Sequence, residues 1–287
     1  MAACTPTPGG PAAASWYAEE LTRTSAATPG YRHELATRRL RELSGPRSLV
    51  LRGRDGHERT VEARPWTGGD FSEALGSAPS RRPGGWLGDL GAPSLYYVNM
   101  NRDSGMDLNA FAQHIQTASN ARGLVVDMRH YPDFLAHVPV QHLVQGDFAS
   151  PILRVIRWTG PDQHDVKEDQ HVFTGGAEPS FRGPIALLVG PRTVSRAEHF
   201  ATMLVGAHRV RVVGRRSAGT NGDITHLVLP GNFRFAFTGM EVLYPDRSTF
   251  HGVGIVPDEE IVPTAEDLAL DRDPELLKAI ELLQAAE

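Results

Sequence analysis

The sequence is poor in lysine, cysteine and long apolar segments. Lys167 and Lys278 are the only lysines among 29 lysine and arginine residues, so a mechanism that needs a catalytic lysine has two positions to draw on. Cys4 is the only cysteine, which excludes an internal disulfide and a thiolate metal cluster. No apolar run approaches the roughly 20 residues of a membrane-spanning helix, so we expect no membrane-spanning segment.

An excess of positive charge is also missing. The formal net charge is −5 at pH 7 and the isoelectric point is about 6.2, whereas a nucleic-acid-binding protein normally presents a basic face. We therefore expect no nucleic-acid partner. No histidine pair has the HExxH spacing of a zinc site, and the sequence predicts neither a metal nor an organic cofactor.

Residues 1–15, "MAACTPTPGGPAAAS", are rich in proline, glycine and alanine and are predicted to be disordered. They resemble the end of a bacterial lipoprotein signal, in which small residues and a cysteine precede a polar tether, but the apolar stretch of such a signal is missing. A lipoprotein origin would favour the bacterial periplasm or cell envelope. Without it, the cytoplasm is expected.

The remaining chain is predicted to contain two parts. Residues 16–80 form a small helix-plus-hairpin unit, with a helix from near Tyr31 and a hairpin turn at Asp55-Gly56. In residues 86–287, apolar strands alternate with helices around a long variable stretch, which indicates an α/β fold with a mostly parallel, buried sheet. Antiparallel strands follow, and Asp273-Pro274 begins a terminal helix.

One segment, "GPRTVSRAEHF", places Ser195 between an apolar strand and a helix. Its hydroxyl would lie at the positive end of the helix dipole, near backbone N–H groups that can stabilise an oxyanion. This arrangement suits a nucleophile for acyl transfer. The alternative is a helix cap, with Glu198 completing a capping box, and residue types alone favour the cap. His199 is expected to face the packed side of the helix or a neighbouring residue rather than to reach back to the Ser195 hydroxyl.

Five motifs in order carry a resemblance to a known family. From about residue 86 onward, the chain resembles the catalytic core of the C-terminal processing protease and tricorn family of serine peptidases. The motifs are "GLVVDMRHYP" (123–132), "GPIALLVGPRTVSRAEHF" (183–200), "VVGRRSAGTNGD" (212–223), "LPGNFRFAFTGMEVLYPDRS" (229–248) and "HGVGIVPDEEIV" (251–262).

The resemblance implies a ClpP/crotonase-like fold with a mixed sheet and flanking helices. In such proteins a PDZ-like module precedes the core, and residues 16–80 would be a remnant of it. The implied activity is that of a serine endopeptidase acting on peptide or protein substrates, without a cofactor. Relatives often assemble, so a homo-oligomer is also expected.

Carried over residue by residue, the resemblance makes Ser195 the nucleophile and the backbone N–H of Arg196 one half of the oxyanion hole. The other half normally comes from a glycine-rich loop, but residues 127–134 contain no glycine. Asp133 is left to donate its backbone N–H, because Pro132 has none. The residues predicted to lie near the substrate are His130, Tyr131, Thr220 and Asn221.

The general base departs most from the family pattern. Processing proteases of the Ser-Lys type have a lysine 25 residues after the serine, where this chain has Thr220, so a Ser-Lys dyad is excluded. Tricorn-like members use a histidine from a segment upstream of the PDZ-like module, which is predicted to be missing here. His57 lies at the hairpin turn. The position of the tricorn-like glutamate aligns with His251, predicted either as base or proton relay or as a structural hydrogen-bonding residue.

Two alternatives to an active peptidase stay open on these residues. The first is a non-catalytic relative that binds peptides or small hydrophobic ligands without turnover. The second is a truncated copy of an active enzyme. The missing glycine pair and the missing histidine segment favour the first of these alternatives.

Overall fold

A computed structural model describes residues 4–5, 13–39, 47–52, 57–63, 82–101, 105–132 and 137–286. Its internal contacts divide the chain into two compact units, Met1–Pro79 and Ser80–Glu287. In the ranges described, no helix combines the length and the apolar character that a membrane crossing requires.

The described residues of the first unit contain two helices and three strands. They are β1 Cys4–Thr5, α1 Ala13–Arg23, α2 Pro29–Arg38, β2 Arg47–Arg52 and β3 Glu58–Ala63. Strands β2 and β3 pair antiparallel, with Arg52 opposite Glu58, as the hairpin pattern predicts; the turn residues 53–56 lie outside the described ranges. That this unit is a partial PDZ-like module stays a prediction.

The predicted helix near Tyr31 is α2, which begins at Pro29 because Thr28 caps it. The N–H of Tyr31 donates to Thr28 Oγ1 at 3.4 Å. Helix α1 was not predicted, and it begins inside the stretch expected to be disordered. Most of residues 1–15 lies outside the described ranges.

The second unit contains thirteen strands and five α-helices in its described residues. The strands are β4 Gly85–Leu87, β5 Ala92–Asn99, β6 Gly123–Asp127, β7 Asp147–Ala149, β8 Ile152–Gly160, β9 Gln163–Asp169, β10 Val172–Thr174, β11 Ile185–Val189, β12 Arg211–Gly214, β13 Ile224–Leu229, β14 Phe233–Thr238, β15 Glu241–Leu243 and β16 Glu259–Glu260. The helices are α3 Leu108–Thr117, α4 His137–Leu143, α5 Arg196–Gly206, α6 Ala265–Ala269 and α7 Pro274–Ala285.

A six-stranded sheet in the order β16-β12-β11-β6-β5-β4 forms the centre of this unit. Its neighbours pair in parallel, except that β4 runs antiparallel to β5. Every residue of β6 and β11 is buried, and apart from Asp127 at the end of β6 both strands are apolar, as buried parallel strands usually are. The predicted mixed α/β fold with flanking helices is confirmed.

Successive side chains of the sheet contribute to two cores. Val125 belongs to the cluster that contains Leu276 and Ile280 of α7. Val126 belongs to the other cluster, with Phe111 of α3 and Phe200 of α5. Because neighbouring residues of a strand point to opposite faces, helices cover both sides of the sheet.

The stretch between β6 and β11 holds elements that the sequence did not predict. Strands β8, β9 and β15 form a three-stranded sheet, and β7 pairs with β10. The antiparallel hairpin of β13 and β14 was predicted. Its three-residue turn consists of Pro230, Gly231 and Asn232, and the last two have positive φ angles of 83° and 61°, as short hairpin turns commonly require.

Candidate active site

Ser195 has an unusual backbone conformation. Its φ is 55° and its ψ is −115°, at the junction between β11 and α5. A positive φ is uncommon for a residue other than glycine and costs free energy unless the surroundings enforce it. Serine nucleophiles on strand-to-helix turns use such strain to expose the hydroxyl. The sequence predicted the junction but not this conformation.

Contacts with other loops hold the turn in place. The N–H of Ser195 donates to the carbonyl of Thr220 at 3.0 Å. Two residues earlier, the buried Thr193 accepts at its carbonyl from the N–H of Ala218 at 2.9 Å, and its hydroxyl donates to the carbonyl of Met128 at 2.8 Å. The turn is thus fixed both to the loop after β12 and to the loop after β6.

Glu198 completes this network from inside the helix. Its fully buried carboxylate accepts four hydrogen bonds, two at each oxygen. Oε1 accepts from Ser217 Oγ (2.5 Å) and Gly219 N (2.6 Å), and Oε2 accepts from the N–H groups of Ser195 and Thr220 (both 3.1 Å). Burial raises the pKa of Glu198 to about 7, although all four donors act in the opposite direction. Its oxygens hold the turn, which leaves neither for the Ser195 hydroxyl.

A cavity of about 520 Å³ lies beside Ser195. Four of the predicted site residues line it, together with two histidines that the sequence analysis did not select for the site. The lining residues are Tyr131, His137, Leu153, Ser195, Arg196, His199, Asn221, Gly222, Asp223, Ile224 and Met240. His199 lines this cavity, and its ring nitrogen Nδ1 lies 3.4 Å from the neighbouring Asn221 Nδ2.

The side chain of Arg196 connects the helix start to the loop after β6. Its guanidinium carbon lies 5.8 Å from the ring centroid of Tyr131, within the range of a cation–π contact. The backbone N–H of Arg196 belongs to the first turn of α5, where N–H groups point away from the helix toward its N-terminal end. Both residues therefore belong to the wall of the cavity next to the serine.

His199 is held in a fixed orientation and kept neutral. Asn221 Oδ1 accepts from the N–H of Gly222 at 2.8 Å, so Nδ2 of that amide faces His199 Nδ1 at 3.4 Å as a donor. Burial, with smaller contributions from the charges of His137 and His171, lowers the pKa of His199 to about 4. The Nδ1 lone pair is already engaged by the amide.

His251 has a structural hydrogen bond. Its Nδ1 accepts from the N–H of Val242 at 2.8 Å, so the neutral ring carries its proton on Nε2. Burial lowers the pKa of this ring. Within the described ranges His251 does not line the cavity beside Ser195. The geometry supports the structural role that the sequence analysis left open for it, rather than a base.

The other predicted residues take different places. Thr220 contributes its backbone to the network around Ser195, while its hydroxyl lies 3.4 Å from that of Thr238. His130 is half-buried in the loop after β6 and outside the cavity lining. Asp133 lies outside the described residues, and His57 is exposed in the first unit. Within the described ranges, no three histidine, cysteine or acidic residues are grouped to hold a metal ion.

Solved structures with a similar fold include peptidases. A candidate peptidase from Parabacteroides merdae is 16% identical, with 96% of this chain and 89% of that chain covered and a TM-score of 0.62. Mature CPAF in complex with lactacystin is also 16% identical, with coverages of 88% and 72% and a TM-score of 0.67. At 16% sequence identity, these similarities show only that the chains share a fold. A search of curated proteins finds no match.

The sequence itself gives the family. The model of peptidase family S41 matches residues 94–261, which is more than half of the 287-residue chain. The matched range includes the central strands β6, β11 and β12 as well as the turn at Ser195. The chain therefore belongs to peptidase family S41, and membership of this family supports a serine peptidase.

Proposed function

We propose that this chain is a serine endopeptidase of the C-terminal processing or tricorn-like type, with Ser195 as its nucleophile. The observation that carries the proposal is the backbone conformation of Ser195. Serines that only cap a helix have an extended backbone, and other caps in this chain follow that rule: φ is −117° at Thr28, −123° at Asp107 and −82° at Thr264. The positive φ of Ser195 is not needed for capping, so we attribute it to presentation of the hydroxyl to the cavity.

The proposed chemistry is acyl transfer. Ser195 Oγ attacks the carbonyl carbon of the scissile peptide bond, and the backbone N–H of Arg196 stabilises the oxyanion that forms. The substrate would bind as an extended strand beside the nucleophile. Tyr131 and Asn221, which line the same cavity, are placed to contact it. A ClpP/crotonase-like classification and a homo-oligomeric assembly are part of this proposal.

A second candidate is a non-catalytic relative that binds peptides in the same cavity. The observation that favours it is the loop after β6, which reads Asp127-Met128-Arg129-His130-Tyr131-Pro132 and lacks the glycine pair of active relatives. Without that pair, this loop has no glycine N–H to act as the second donor to the oxyanion.

Labelling with a fluorophosphonate probe distinguishes the two candidates, because the probe reacts only with an activated serine. We expect one adduct on the full chain, located at Ser195 by peptide mass mapping. Ser195→Ala should abolish labelling, whereas Ser248→Ala, at an exposed serine that bonds Asp246, should leave it unchanged. A folded wild-type chain that does not react would overturn the peptidase proposal and leave the binding protein.

A further inference from the structure

The proposed mechanism needs a group that accepts the proton of Ser195 Oγ, and the residues considered so far do not supply one. Both oxygens of Glu198 are engaged by four donors. Lys278 bonds Glu281 on α7 at 2.8 Å, and Lys167 lies on the exposed strand β9. Neither lysine lines the cavity beside the serine.

Few of the residues lining the cavity can act as a base. His199 Nδ1 is engaged by Asn221, and the lowered pKa of His199 makes it a weak proton acceptor. Asp223 is exposed to solvent, so water competes with the serine for its oxygens. Arg196 is a permanent cation. Among the imidazole and carboxylate groups of the described residues that line the cavity, His137 is the remaining candidate.

We propose that His137 is the general base that activates Ser195, an inference that rests on the proposed function. His137 is the first residue of α4 and lines the same cavity as Ser195. Its ring stacks on Phe173 with centroids 4.4 Å apart and planes at 5°, and Phe173 packs in turn against Phe148 at 5.5 Å. The stack fixes the plane of the imidazole while leaving its edge available.

The nitrogens of His137 differ from those of the other two histidines described above. In His199 and His251, Nδ1 accepts a hydrogen bond from the protein. No described residue forms a hydrogen bond with the ring of His137. A lone pair is therefore available for the serine proton once the substrate or a side-chain rotation brings the two groups within hydrogen-bond distance, since catalytic hydrogen bonds often tighten only when substrate is bound.

The groups near His137 include neutral, positive and negative side chains. Its neighbour across the cavity, His199, is neutral because it is buried. His171 also contacts the Phe173 ring, at 6.1 Å, but is mostly exposed and lies 3.6 Å from the carboxylate of Asp169. The guanidinium of Arg196 lies over Tyr131, and Asp223 adds a negative charge to the cavity wall.

The step is balanced as follows. Ser195 Oγ forms a bond to the carbonyl carbon, its proton moves to a ring nitrogen of His137, and the carbonyl π electrons move to the oxygen. The imidazolium then returns the proton to the leaving nitrogen as the C–N bond breaks, which gives an acyl-enzyme and a free amine. Water, deprotonated by the same ring, hydrolyses the ester and regenerates the serine.

The test is the rate of fluorophosphonate labelling of Ser195 in the full chain. His137→Ala and His137→Gln should each lower this rate by about 10²- to 10⁴-fold, the usual contribution of a general base. Added imidazole should restore labelling of His137→Ala but not of Ser195→Ala. The matched control is His171→Ala. This variant removes a histidine that packs against the same Phe173 ring but does not line the cavity, and it should label at the wild-type rate.

Three results would overturn the proposal: wild-type labelling in His137→Ala, an equal loss in His171→Ala, or no restoration by imidazole. Rescue is the decisive readout because Glu198 titrates near pH 7 in the same site, so a pH profile alone does not separate the two groups. A wild-type chain that does not label would overturn the proposed function and this inference together. A labelled wild type with an unaffected His137→Ala overturns the inference alone.

Discussion

At the scale of single residues, the conformation of Ser195 depends on Glu198. The strained backbone persists because a buried carboxylate and the carbonyl of Thr220 both accept from the serine N–H. Such strain is maintained only where the surroundings determine it. The protonation state of Glu198 therefore affects both the geometry of the nucleophile and the stability of the fold.

The raised pKa of Glu198 predicts a pH-dependent stability. Between its ordinary value of 4.5 and about 7, the folded chain retains a proton that the unfolded chain releases. The free energy of unfolding should therefore fall as the pH rises through this range, by about 3 kcal/mol from this residue. Glu198→Gln should remove that part of the dependence, as measured by urea unfolding at several pH values.

The control for Glu198→Gln is Glu281→Gln, which changes a glutamate whose side chain is 69% exposed. It should keep the pH dependence of the wild type. If Glu198→Gln also keeps it, burial does not control this carboxyl group. Glu198→Gln should also label more slowly with a fluorophosphonate, because its amide nitrogen would face N–H groups that now donate to the carboxylate.

Residue types alone predicted some of this site and missed the rest for a physical reason. The junction that holds Ser195 was predicted because an apolar strand, a short turn and a helix are visible in sequence, whereas the role of nucleophile came from the family resemblance. The positive φ was not predicted, since it depends on contacts with Thr220. His137 was passed over because nothing in local periodicity shows that its segment, far from Ser195 in sequence, meets the serine at one cavity.

At the scale of elements, the loop after β12 is held from behind by the segment before β16. The N–H of Ser217 donates to the carbonyl of Ile255 at 3.1 Å, and the N–H of Ile255 donates to Ser217 Oγ at 2.7 Å. Gly254, with a φ of 72°, directly precedes Ile255 and packs against this loop. A Cβ at Gly254 would be 2.6 Å from Ser217 Oγ and 2.9 Å from Gly219 N. Both of those atoms belong to donors on Glu198 Oε1.

Two nearby glycines, Gly254 and Gly252, provide a matched pair of variants to test whether the position of this loop affects Ser195. Gly254→Ala and Gly252→Ala both place alanine at a left-handed backbone position, which costs about 1 kcal/mol, but an alanine at Gly252 meets nothing within 4 Å. We expect only Gly254→Ala to displace the loop and lower the labelling rate of Ser195. Equal rates in the two variants would refute the idea that the loop position controls the serine.

The elements themselves follow from sequence to different degrees. Buried parallel strands such as β6 and β11 are continuous apolar runs and were predicted, as was α7, where Asp273 caps the helix by accepting from the N–H of Leu276 at 3.0 Å. Strand β9 was missed because all its residues are exposed and most are polar. Its register is set by pairing with β8, a contact that local pattern does not encode.

At the scale of the whole unit, a buried ion cluster joins elements that are distant in sequence. Arg129, just after β6, donates to Asp127 and Glu275 at 2.7 Å each, and to Asp273 at 2.7 Å. Arg215, after β12, donates to the same Glu275 at 3.1 Å. The cluster thus connects the ends of two central strands with the beginning of α7.

Arg129 is therefore predicted to stabilise the peptidase unit strongly. Burial alone would raise the pKa of Asp127, but the adjacent Arg129 guanidinium outweighs it and holds the pKa below its usual value. Because Asp127 and Glu275 are each only 2% exposed, Arg129→Met leaves two buried carboxylates short of a partner. We expect a loss of about 3–5 kcal/mol in the free energy of unfolding, measured by urea denaturation.

Arg211→Met is the matched control, because Arg211 is 61% exposed and pairs with Glu259 at 3.4 Å on the surface. It should change the free energy of unfolding by less than about 1 kcal/mol. Similar small losses in both variants would show that the cluster does not join these elements energetically. We also expect Arg129→Met, unlike Arg211→Met, to slow the labelling of Ser195. Met128 is next to Arg129, and its carbonyl accepts from the Thr193 hydroxyl at the turn that holds the serine.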